Sequence, residues 1–349
     1  MDITIGITCI GGHYAYEIIE CFRNQDDYNA TIIGFDVNPK AKGRFFVDEF
    51  MTIPPANDYD VYINSVIEIC KSNSIDLFIP SSENECMAVA SRASLFRDNG
   101  ISISIGNTNV VSLMTDKFLM LEYLAGKGVD VGFHAAVNSL DEVLKTLEMF
   151  NYSKEKILLK PRCSSGSRGV MVIDSSIEKL NEFIPDRMCL EGNIDSIIKF
   201  SNTHKIDFSN YLVSEYCPGG IYDVDCIALN GDIIDIVPRL RRNDNPFSPI
   251  VEGCKIDLNS SVISYVTNIV SAFNCHGVCD FDIAINSLGE PQIIDASVRL
   301  SGSVSASLFA GVNVPSQLVR VMCGIHTKSY TYTDGACVRP VNKFIQSDS

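Results

Sequence analysis

The chain has 349 residues, a formal net charge of −15 at pH 7 and a hydrophobic content of 46 %. This length supports two or three domains with sizeable cores. The acidic balance argues against a nucleic-acid or anionic-membrane surface, because polyanions would be repelled except where basic residues cluster locally. Small molecules are therefore the expected partners.

The cysteines and the amino terminus indicate the compartment. Thirteen cysteines are scattered, odd in number and often placed within apolar runs, which predicts reduced thiols in a cytoplasmic protein. The opening MDITIGITCIGG lacks a basic region and reaches glycines too early for a signal peptide or a spanning helix. No later segment holds 18 uninterrupted apolar residues, so no membrane association is expected.

Strand-like and helix-like segments alternate through the first third of the chain. ITIGITCI, a glycine turn, AYEIIECFRN and ATIIGFDVN follow each other as in the βαβ opening of a parallel sheet. The glycines lack the G-x-G-x-x-G spacing of dinucleotide sites, so they are assigned mainly to tight turns. This pattern predicts a small parallel α/β domain.

The stretch ILLKPRCSSGSRGVMVI (157–173) places a lysine and small residues between two apolar runs. The runs predict two paired strands that form a hairpin. The tip combines glycines that allow positive φ with serine hydroxyls, which predicts either a cradle for phosphate oxygens or a plain flexible turn. It is not a Walker loop, because its lysine, Lys160, precedes the glycines and no helix follows. The small residues are Ser165, Gly166, Ser167 and Gly169.

Beyond residue 211 the pattern predicts antiparallel strands. Turns are expected at Pro218–Gly220 and at the Asn230–Gly231 hairpin signal, and a later hairpin turns at Gly289. Between Gly231 and Gly289 the segment SSVISYVTNIVSAFN predicts an amphipathic helix. CVRP near the end of the chain predicts a final strand. The sequence CHGVC (275–279) has no second ligand pair, which favours a packed turn over a metal site.

The last hairpin carries a polar face. Alternation puts Asp280 and Asp282 on one face of its first strand, and Asp295, Ser297 and Arg299 on one face of its second. Two carboxylates brought together repel each other unless a cation lies between them, and such oxygens suit magnesium bridging nucleotide phosphates. A solvated sheet face is the alternative.

Two arginine-containing segments suit anions. Arg299 precedes LSGS, and its planar guanidinium could hold a carboxylate or a phosphate through two parallel hydrogen bonds. The segment PRLRRNDNPFSP contains a basic cluster of Arg239, Arg241 and Arg242 in an otherwise acidic protein, which suggests capture of an anionic substrate. Solvated surface charge is the alternative for both segments.

The chain contains, in this order, a helix lysine (Lys117), a strand lysine (Lys160), a Gly/Ser loop, an acid pair and an arginine. This ordered set resembles the ATP-grasp superfamily. Among its branches it most resembles the carbamoyl-phosphate-synthetase-like and amino-acid-ligase proteins. The resemblance implies α/β and α+β architecture, namely an ATP-grasp fold preceded by a small Rossmann-like domain. The implied units are the Rossmann-like domain (1–112), a small lobe with the phosphate-covering loop (113–217), a large lobe with metal and catalytic residues (218–330) and a C-terminal extension (331–349).

The resemblance also implies a nucleotide site for ATP. TDKFLM is similar to the family's DK helix, so Lys117 would contact phosphate, and LLKPRCSSGSRGV would place Lys160 on the α- and β-phosphates beneath the lid formed by residues 165–169. VSEYCPGGIYDVD would let Glu215 accept the adenine amino group, with Tyr216 and Cys217 at the base edge.

The same resemblance implies the catalytic groups. DFD and IIDASVRLSGS would provide Asp282, Asp295 and Ser297 as ligands of Mg²⁺, or of Mn²⁺, and Arg299 as the stabiliser of developing charge together with Lys160. The N–H groups around Ser301, Gly302 and Ser303 would hold an oxyanion. FIPSSENE suggests that Glu83 and Glu85 read a substrate amino group.

Three positions depart from the family pattern. Ile221 stands where the family has a ribose-binding glutamate, Asp295 where it has a metal-binding glutamate, and Ser297 where it has an asparagine. The implied function is an ATP-dependent carboxylate–amine ligase that forms an acyl phosphate and acts on a small-molecule carboxylate and an amine. A small-molecule kinase and a regulatory nucleotide-binding protein are the alternatives, and a homodimer is a family-level expectation.

Overall fold

The computed structural model describes residues 1–13, 15–150, 156–164, 166–242 and 253–341. The first sheet has the order β3-β2-β1-β4-β5 and is parallel throughout, which confirms the predicted parallel α/β region. Its central strand DITIGI is nearly continuously buried, as expected for a strand covered on both faces. The strands are β1 (Asp2–Ile7), β2 (Asn29–Asp36), β3 (Glu49–Thr52), β4 (Leu77–Ile79) and β5 (Ser102–Ile103).

The second sheet has the order β6-β11-β7-β8-β10-β9. The predicted hairpin around the Gly/Ser loop is present, since Ile157–Pro161 and Met171–Ile173 pair in antiparallel fashion. The sheet has a hydrophobic cluster of its own, but Leu212 on its strand Tyr211–Glu215 belongs to the cluster that contains residues of the other two sheets. Its strands are β6 (His134–Val137), β7 (Ile157–Pro161), β8 (Met171–Ile173), β9 (Asn181–Ile184), β10 (Cys189–Gly192) and β11 (Tyr211–Glu215).

The third sheet has the order β16-β15-β12-β13-β14-β17 and is antiparallel. Asn230 and Gly231 form the predicted hairpin turn with φ of +52° and +86°, and Gly289 turns the later hairpin with φ of +84°. The predicted final strand is the short β17. The strands are β12 (Ile221–Leu229), β13 (Asp232–Arg241), β14 (Cys254–Ile256), β15 (Gly277–Ile285), β16 (Pro291–Ser297) and β17 (Cys337–Val338).

The turn predicted at Pro218–Gly220 does not join two paired strands. β11 belongs to the second sheet and β12 to the third, so this segment crosses between sheets. Gly219 donates its N–H to the carbonyl of Ile285 at 2.9 Å, and a Cβ at Gly219 would lie 2.7 Å from that oxygen. The segment therefore follows the end of β15 instead of folding β11 back onto β12.

Helices cover the sheets within the described residues. Helix α9 (Ser260–Phe273), for example, is capped by Asn259 and buries Val262, Val266 and Phe273 against the third sheet. All thirteen cysteines are free, and none of the described helices has the length and apolar character needed to cross a bilayer. The helices are α1 (Ala15–Arg23), α2 (Tyr59–Ser72), α3 (Glu83–Ser91), α4 (Ala93–Asp98), α5 (Thr108–Thr115), α6 (Lys117–Gly126), α7 (Leu140–Met149), α8 (Ile194–His204), α9 (Ser260–Phe273) and α10 (Val314–Met322).

The first and third sheets meet through close backbone contact. Val278 donates its N–H to the carbonyl of Ser104 at 3.2 Å, and Gly277 has φ of +86°. A Cβ at Gly277 would lie 2.2 Å from the same Ser104 oxygen. Glycine at 277 therefore allows both the backbone conformation and the contact between the two sheets.

We expect Gly277→Ala to lower the free energy of unfolding by roughly 2–4 kcal/mol, because it combines a left-handed backbone with a backbone clash. Gly126→Ala is the matched control, since nothing lies within 4 Å of a Cβ at the end of α6. The control should be neutral or slightly stabilising. Chemical denaturation of both variants measures the difference, and equal stabilities would contradict this account of the contact.

Candidate active site

A row of charged side chains crosses four strands of the third sheet. Arg239 on β13 lies opposite Asp223 on β12, Asp223 lies opposite Asp282 on β15, and Asp282 lies opposite Asp295 on β16. A parallel row places Asp225, Asp280 and Ser297 opposite each other. The register predicted for the last hairpin is thus present, and it brings five carboxylates onto one sheet face.

Two arginines balance this charge. Arg239 Nε lies 2.7 Å from Asp225 Oδ2, and Arg241 Nη2 lies 2.5 Å from Asp223 and 2.7 Å from Asp282. Burial alone would raise the pKa of Asp223, but the charges of Arg241 and Arg239 lower it overall. Both arginines are buried, so the alternative of solvated surface charge is wrong for them.

Two of the acids keep raised pKa values. Burial raises the pKa of Asp282 to about 6; the Arg241 charge opposes this effect, whereas Asp223 adds to it. Burial and then the charge of Asp225 raise the pKa of Asp280 well above its usual range. The sheet face therefore holds more carboxylate than its arginines neutralise, which favours an additional cation at this place.

The serines predicted to border the substrate join the same network. Arg239 donates to Ser301 Oγ at 2.9 Å and to Ser303 Oγ at 2.7 Å, and Ser301 donates to Asp225 at 2.8 Å. Gly302 lies between these two serines. Arg239 was predicted to capture substrate directly, but its guanidinium is fully buried and contacts Asp225 and the serines instead.

The two predicted phosphate-binding lysines converge on β16. Lys117 Nζ lies 3.1 Å from Asp295 and donates to the carbonyl of Ser164 at 2.6 Å. Lys160 Nζ donates to the carbonyl of Ile294 at 2.9 Å. Burial, reinforced by the neighbouring Lys117 charge, lowers the pKa of Lys160 to about 8. Two cationic groups thus face the carboxylate row where the second and third sheets meet.

The predicted lid is folded back on its own sheet. Gly166, Ser167 and Gly169 all have positive φ, as predicted for the glycines, and Gly169 donates its N–H to the carbonyl of Arg187 at 2.8 Å. Ser165 lies outside the described residues.

The predicted adenine-binding residues lie in the crossing between β11 and β12. The backbone N–H of Glu215 donates to Phe133, and Cys217 Sγ donates to Gln292 Oε1 at 3.3 Å. Lys156 lies 5.6 Å from the centre of the Tyr216 ring.

Of the two glutamates predicted to read an amino group, Glu83 lines a cleft with Lys117, Asp295 and Ser297. Glu85 is instead bound within the first domain. Its carboxylate closes a capping box with Ser82 and accepts from Thr8 Oγ1 at 2.7 Å. The spacing Ser-x-x-Glu at the start of α3 is the signal that could have identified this structural role.

Arg299 follows the end of β16 and is half-buried. Its side chain donates to the carbonyl of Leu300 at 3.3 Å, and its backbone N–H donates to Ser297 Oγ at 3.3 Å. Arg299 therefore lies beside the predicted metal ligands. Its role in stabilising negative charge stays a prediction.

The carboxylate oxygens of the Asp282–Asp295 pair are suitable ligands for a divalent cation. The two carboxylates face each other across paired strands, and their side chains are 25 % and 33 % exposed. Across the described ranges, no group of three His, Cys, Asp or Glu residues could hold a metal by itself. Two protein carboxylates completed by nucleotide phosphates and water are what Mg²⁺ commonly uses.

Sequence reasoning missed several residues of this site. Asp223 and Asp225 alternate along IYDVDCIAL at period two, so the pattern could have placed them on the face of Asp282. Lys156 bridges Asp174 at 2.7 Å and Glu191 at 3.0 Å. No sequence spacing indicates that bridge, because Asp174 follows β8 whereas Glu191 lies on β10.

Two family models match parts of this chain. Residues 207–344 match the family model described as ATP-grasp in the biosynthetic pathway with Ter operon, and residues 5–104 match the PylC-like N-terminal domain. A search of curated proteins found no match. Residues 207–344 thus belong to the ATP-grasp superfamily, and the ATP-grasp fold follows a Rossmann-like parallel domain, as the sequence predicted.

Solved structures share the fold at low identity. N5-carboxyaminoimidazole synthetase from Staphylococcus aureus has a TM-score of 0.67 and 14 % identity, over 93 % of this chain and 78 % of that one. L-amino acid ligase from Bacillus licheniformis has a TM-score of 0.63 and 12 % identity, over 92 % and 74 %. Biotin carboxylase from Campylobacter jejuni, in complex with β-γ-ATP, has a TM-score of 0.65 and 15 % identity, over 93 % and 72 %.

We expect Asp225→Asn to destabilise the protein by about 3–5 kcal/mol, because it leaves the buried Arg239 guanidinium without its carboxylate. Asp60→Asn removes an exposed ion pair with Arg92, at 2.9 Å, and should cost less than about 1 kcal/mol. Urea unfolding of the two variants gives the comparison. A loss at Asp225 no larger than that at Asp60 would show that the buried pair does not hold the sheet face together.

Proposed function

We propose that this protein is an ATP-dependent carboxylate–amine ligase that releases ADP and phosphate. The observation that carries the proposal is the convergence of Lys117, Lys160 and the Asp282–Asp295 pair where the second and third sheets meet. Cationic lysines opposite a carboxylate pair suit a triphosphate held together with a divalent cation.

The nucleotide would lie along the crossing between the two sheets. Glu215, Tyr216 and Cys217 would border the adenine, while Lys160 and Lys117 would contact the phosphates beneath the loop that contains Gly166. The position that could hold the ribose through a carboxylate is Ile221, which offers no hydrogen bond. Binding would therefore depend more on the base and the phosphates.

The chain's own groups can support two chemical steps. A substrate carboxylate oxygen attacks the γ-phosphorus in line, the bond to the β-phosphate oxygen breaks, and ADP leaves from an acyl phosphate. An amine then attacks the acyl carbon and phosphate departs as the amide forms. Arg299 and the N–H groups of residues 301–303 would stabilise the oxyanion of that second step. When bound at Asp282 and Asp295, Mg²⁺ would neutralise charge on the transferring phosphoryl group.

The similar structures support this reaction class. Two of them are named as a synthetase and an L-amino acid ligase, and a third was obtained with an ATP analogue. Their low identity means that substrate identity must be measured on this chain.

Incubation with MgATP and a pool of amino acids, hydroxy acids and amines should yield ADP, phosphate and a new amide mass. We expect Asp282→Asn combined with Asp295→Asn to lower ADP formation at least about a hundredfold, because both carboxylates that would place the metal are lost. Asp232→Asn, at an exposed position of β13, is the control and should retain activity. Mass spectrometry and phosphorus NMR measure both outcomes.

The products separate this proposal from its alternatives. ADP together with a stable phosphorylated product would identify a kinase. Tight ATP binding without turnover in widened pools would favour a regulatory nucleotide-binding protein, and MnATP provides a second metal condition before that conclusion is drawn.

Nucleotide binding should depend on pH through Lys160. Because the pKa of Lys160 is lowered to about 8, its charge is present below that pH and is lost as the pH rises through it. The Kd for MgADP should therefore rise about tenfold between pH 7 and pH 9. Lys160→Arg keeps its charge throughout this range and should flatten the dependence. Calorimetric titration tests this, and a flat profile for the unmodified protein would argue against phosphate contact by Lys160.

A further inference from the structure

An ion pair outside the charged row of the third sheet joins helix α6 to the strand that leads into the Gly/Ser loop. Asp116 directly precedes α6, and Arg162 directly follows β7. Arg162 Nε lies 3.1 Å from Asp116 Oδ1, and Nη2 lies 2.6 Å from Oδ2, so the guanidinium contacts both carboxylate oxygens. The side chains of Arg162 and Asp116 are only 19 % and 15 % exposed. A bidentate pair of this kind fixes the direction of the contact as well as its distance.

Asp116 is at the same time the N-cap of α6. Its Oδ1 atom accepts the backbone N–H of Phe118 at 3.0 Å and that of Leu119 at 3.2 Å. The Arg162 guanidinium also lies 5.0 Å from the centre of the Phe118 ring. Arg162 therefore contacts the first turn of the helix at two places, and that turn begins with Lys117.

Hydrogen bonds to backbone carbonyls hold the same junction. Lys117 donates its backbone N–H to the carbonyl of Arg162 at 3.0 Å, and its Nζ atom donates to the carbonyl of Ser164 at 2.6 Å. The backbone N–H of Arg162 in turn donates to Asn210 at 2.9 Å. The start of α6 and the chain after β7 are thus joined through side chains and backbone together.

This junction brings two like charges close to each other. Lys160 lies two residues before Arg162, and its Nζ atom donates to the carbonyl of Ile294. Lys117 Nζ lies 3.1 Å from Asp295, the next residue of β16. The Lys117 charge adds to burial in lowering the pKa of Lys160, which shows that the two ammonium groups interact. Because like charges repel, this arrangement needs rigid supports.

We infer that Arg162 is a positioning residue that acts through Asp116 to hold Lys117 and Lys160 at the spacing at which both contact one phosphate chain. This inference rests on the proposed function. The pair links the helix that carries Lys117 to the strand that carries Lys160, so the two lysines keep one relative position. Without the pair, repulsion would move the ammonium groups apart, and a phosphate chain would lose one of its two contacts. Adenosine, which has no phosphate, would be unaffected.

The test compares binding of MgADP and adenosine to the full chain by calorimetric and NMR titration. Arg162→Gln should weaken MgADP binding about tenfold and change adenosine binding by less than about twofold. Asp116→Asn keeps an oxygen that can cap α6 but removes the carboxylate, and it should give the same difference between the two ligands.

The double variant tests whether the two residues act as one unit. Asp116→Asn combined with Arg162→Gln should weaken MgADP binding about tenfold, whereas independent roles would give about a hundredfold loss. Arg92→Gln is the control, because it breaks an exposed ion pair with Asp60 at 2.9 Å, and it should change neither Kd. Thermal unfolding midpoints verify that each variant is folded.

Equal losses of MgADP and adenosine binding in Arg162→Gln and Asp116→Asn would show that the pair only stabilises the fold, and they would overturn the inference. Unchanged MgADP binding in these variants, or a hundredfold loss in the double variant, would overturn it as well. No MgADP binding by the unmodified protein would contradict both the inference and the proposed function.

Amide formation separates the two proposals. If the variants weaken MgADP binding selectively but the unmodified protein forms no amide from any pool, the positioning role holds and the ligase proposal fails. If the unmodified protein forms an amide and Arg162→Gln binds MgADP normally, the ligase proposal holds and the positioning role fails.

Discussion

The paired charges on the inner face of the third sheet are the constraint on which the rest of the site depends. Carboxylates buried on neighbouring strands would repel each other, and Arg239 and Arg241 make their burial possible by contacting Asp225, Asp223 and Asp282. The same contacts fix the serines after β16 through Arg239. Loss of one partner would thus disturb both stability and the geometry expected for the reaction.

The site also depends on how the three sheets share their cores. The first and third sheets contribute to common hydrophobic clusters, whereas most buried apolar residues of the second sheet form a separate cluster. Lys160 comes from the second sheet and reaches the backbone of Ile294 on the third. Lys160 and the acid pair therefore come from two differently packed units that meet at β16.

Departures from the family pattern have different consequences at different positions. Ser297 replaces an amide, but it accepts the N–H of Arg299 and so has a defined place in the loop that follows β16. Asp295 is one methylene shorter than glutamate, yet it lies directly opposite Asp282 and near Lys117. Ile221 has no such compensation among the described contacts at the start of β12, so under the proposed function the base and the phosphates would be the main groups that hold a nucleotide.

The sequence by itself determined the elements whose signals are local. Alternating residues in DFDIAI and PQIIDAS predicted the hairpin and the pairing of Asp282 with Asp295, and Asn230–Gly231 predicted a turn, because strand period and turn conformation depend on neighbouring residues. Tertiary structure alone decided that Pro218–Gly220 crosses between sheets, that Glu85 also accepts from Thr8 within the first domain, and that Arg239 is buried behind Ser303. Those outcomes depend on contacts between residues far apart in the chain, and the burial and charge of such partners are set only when the sheets pack together.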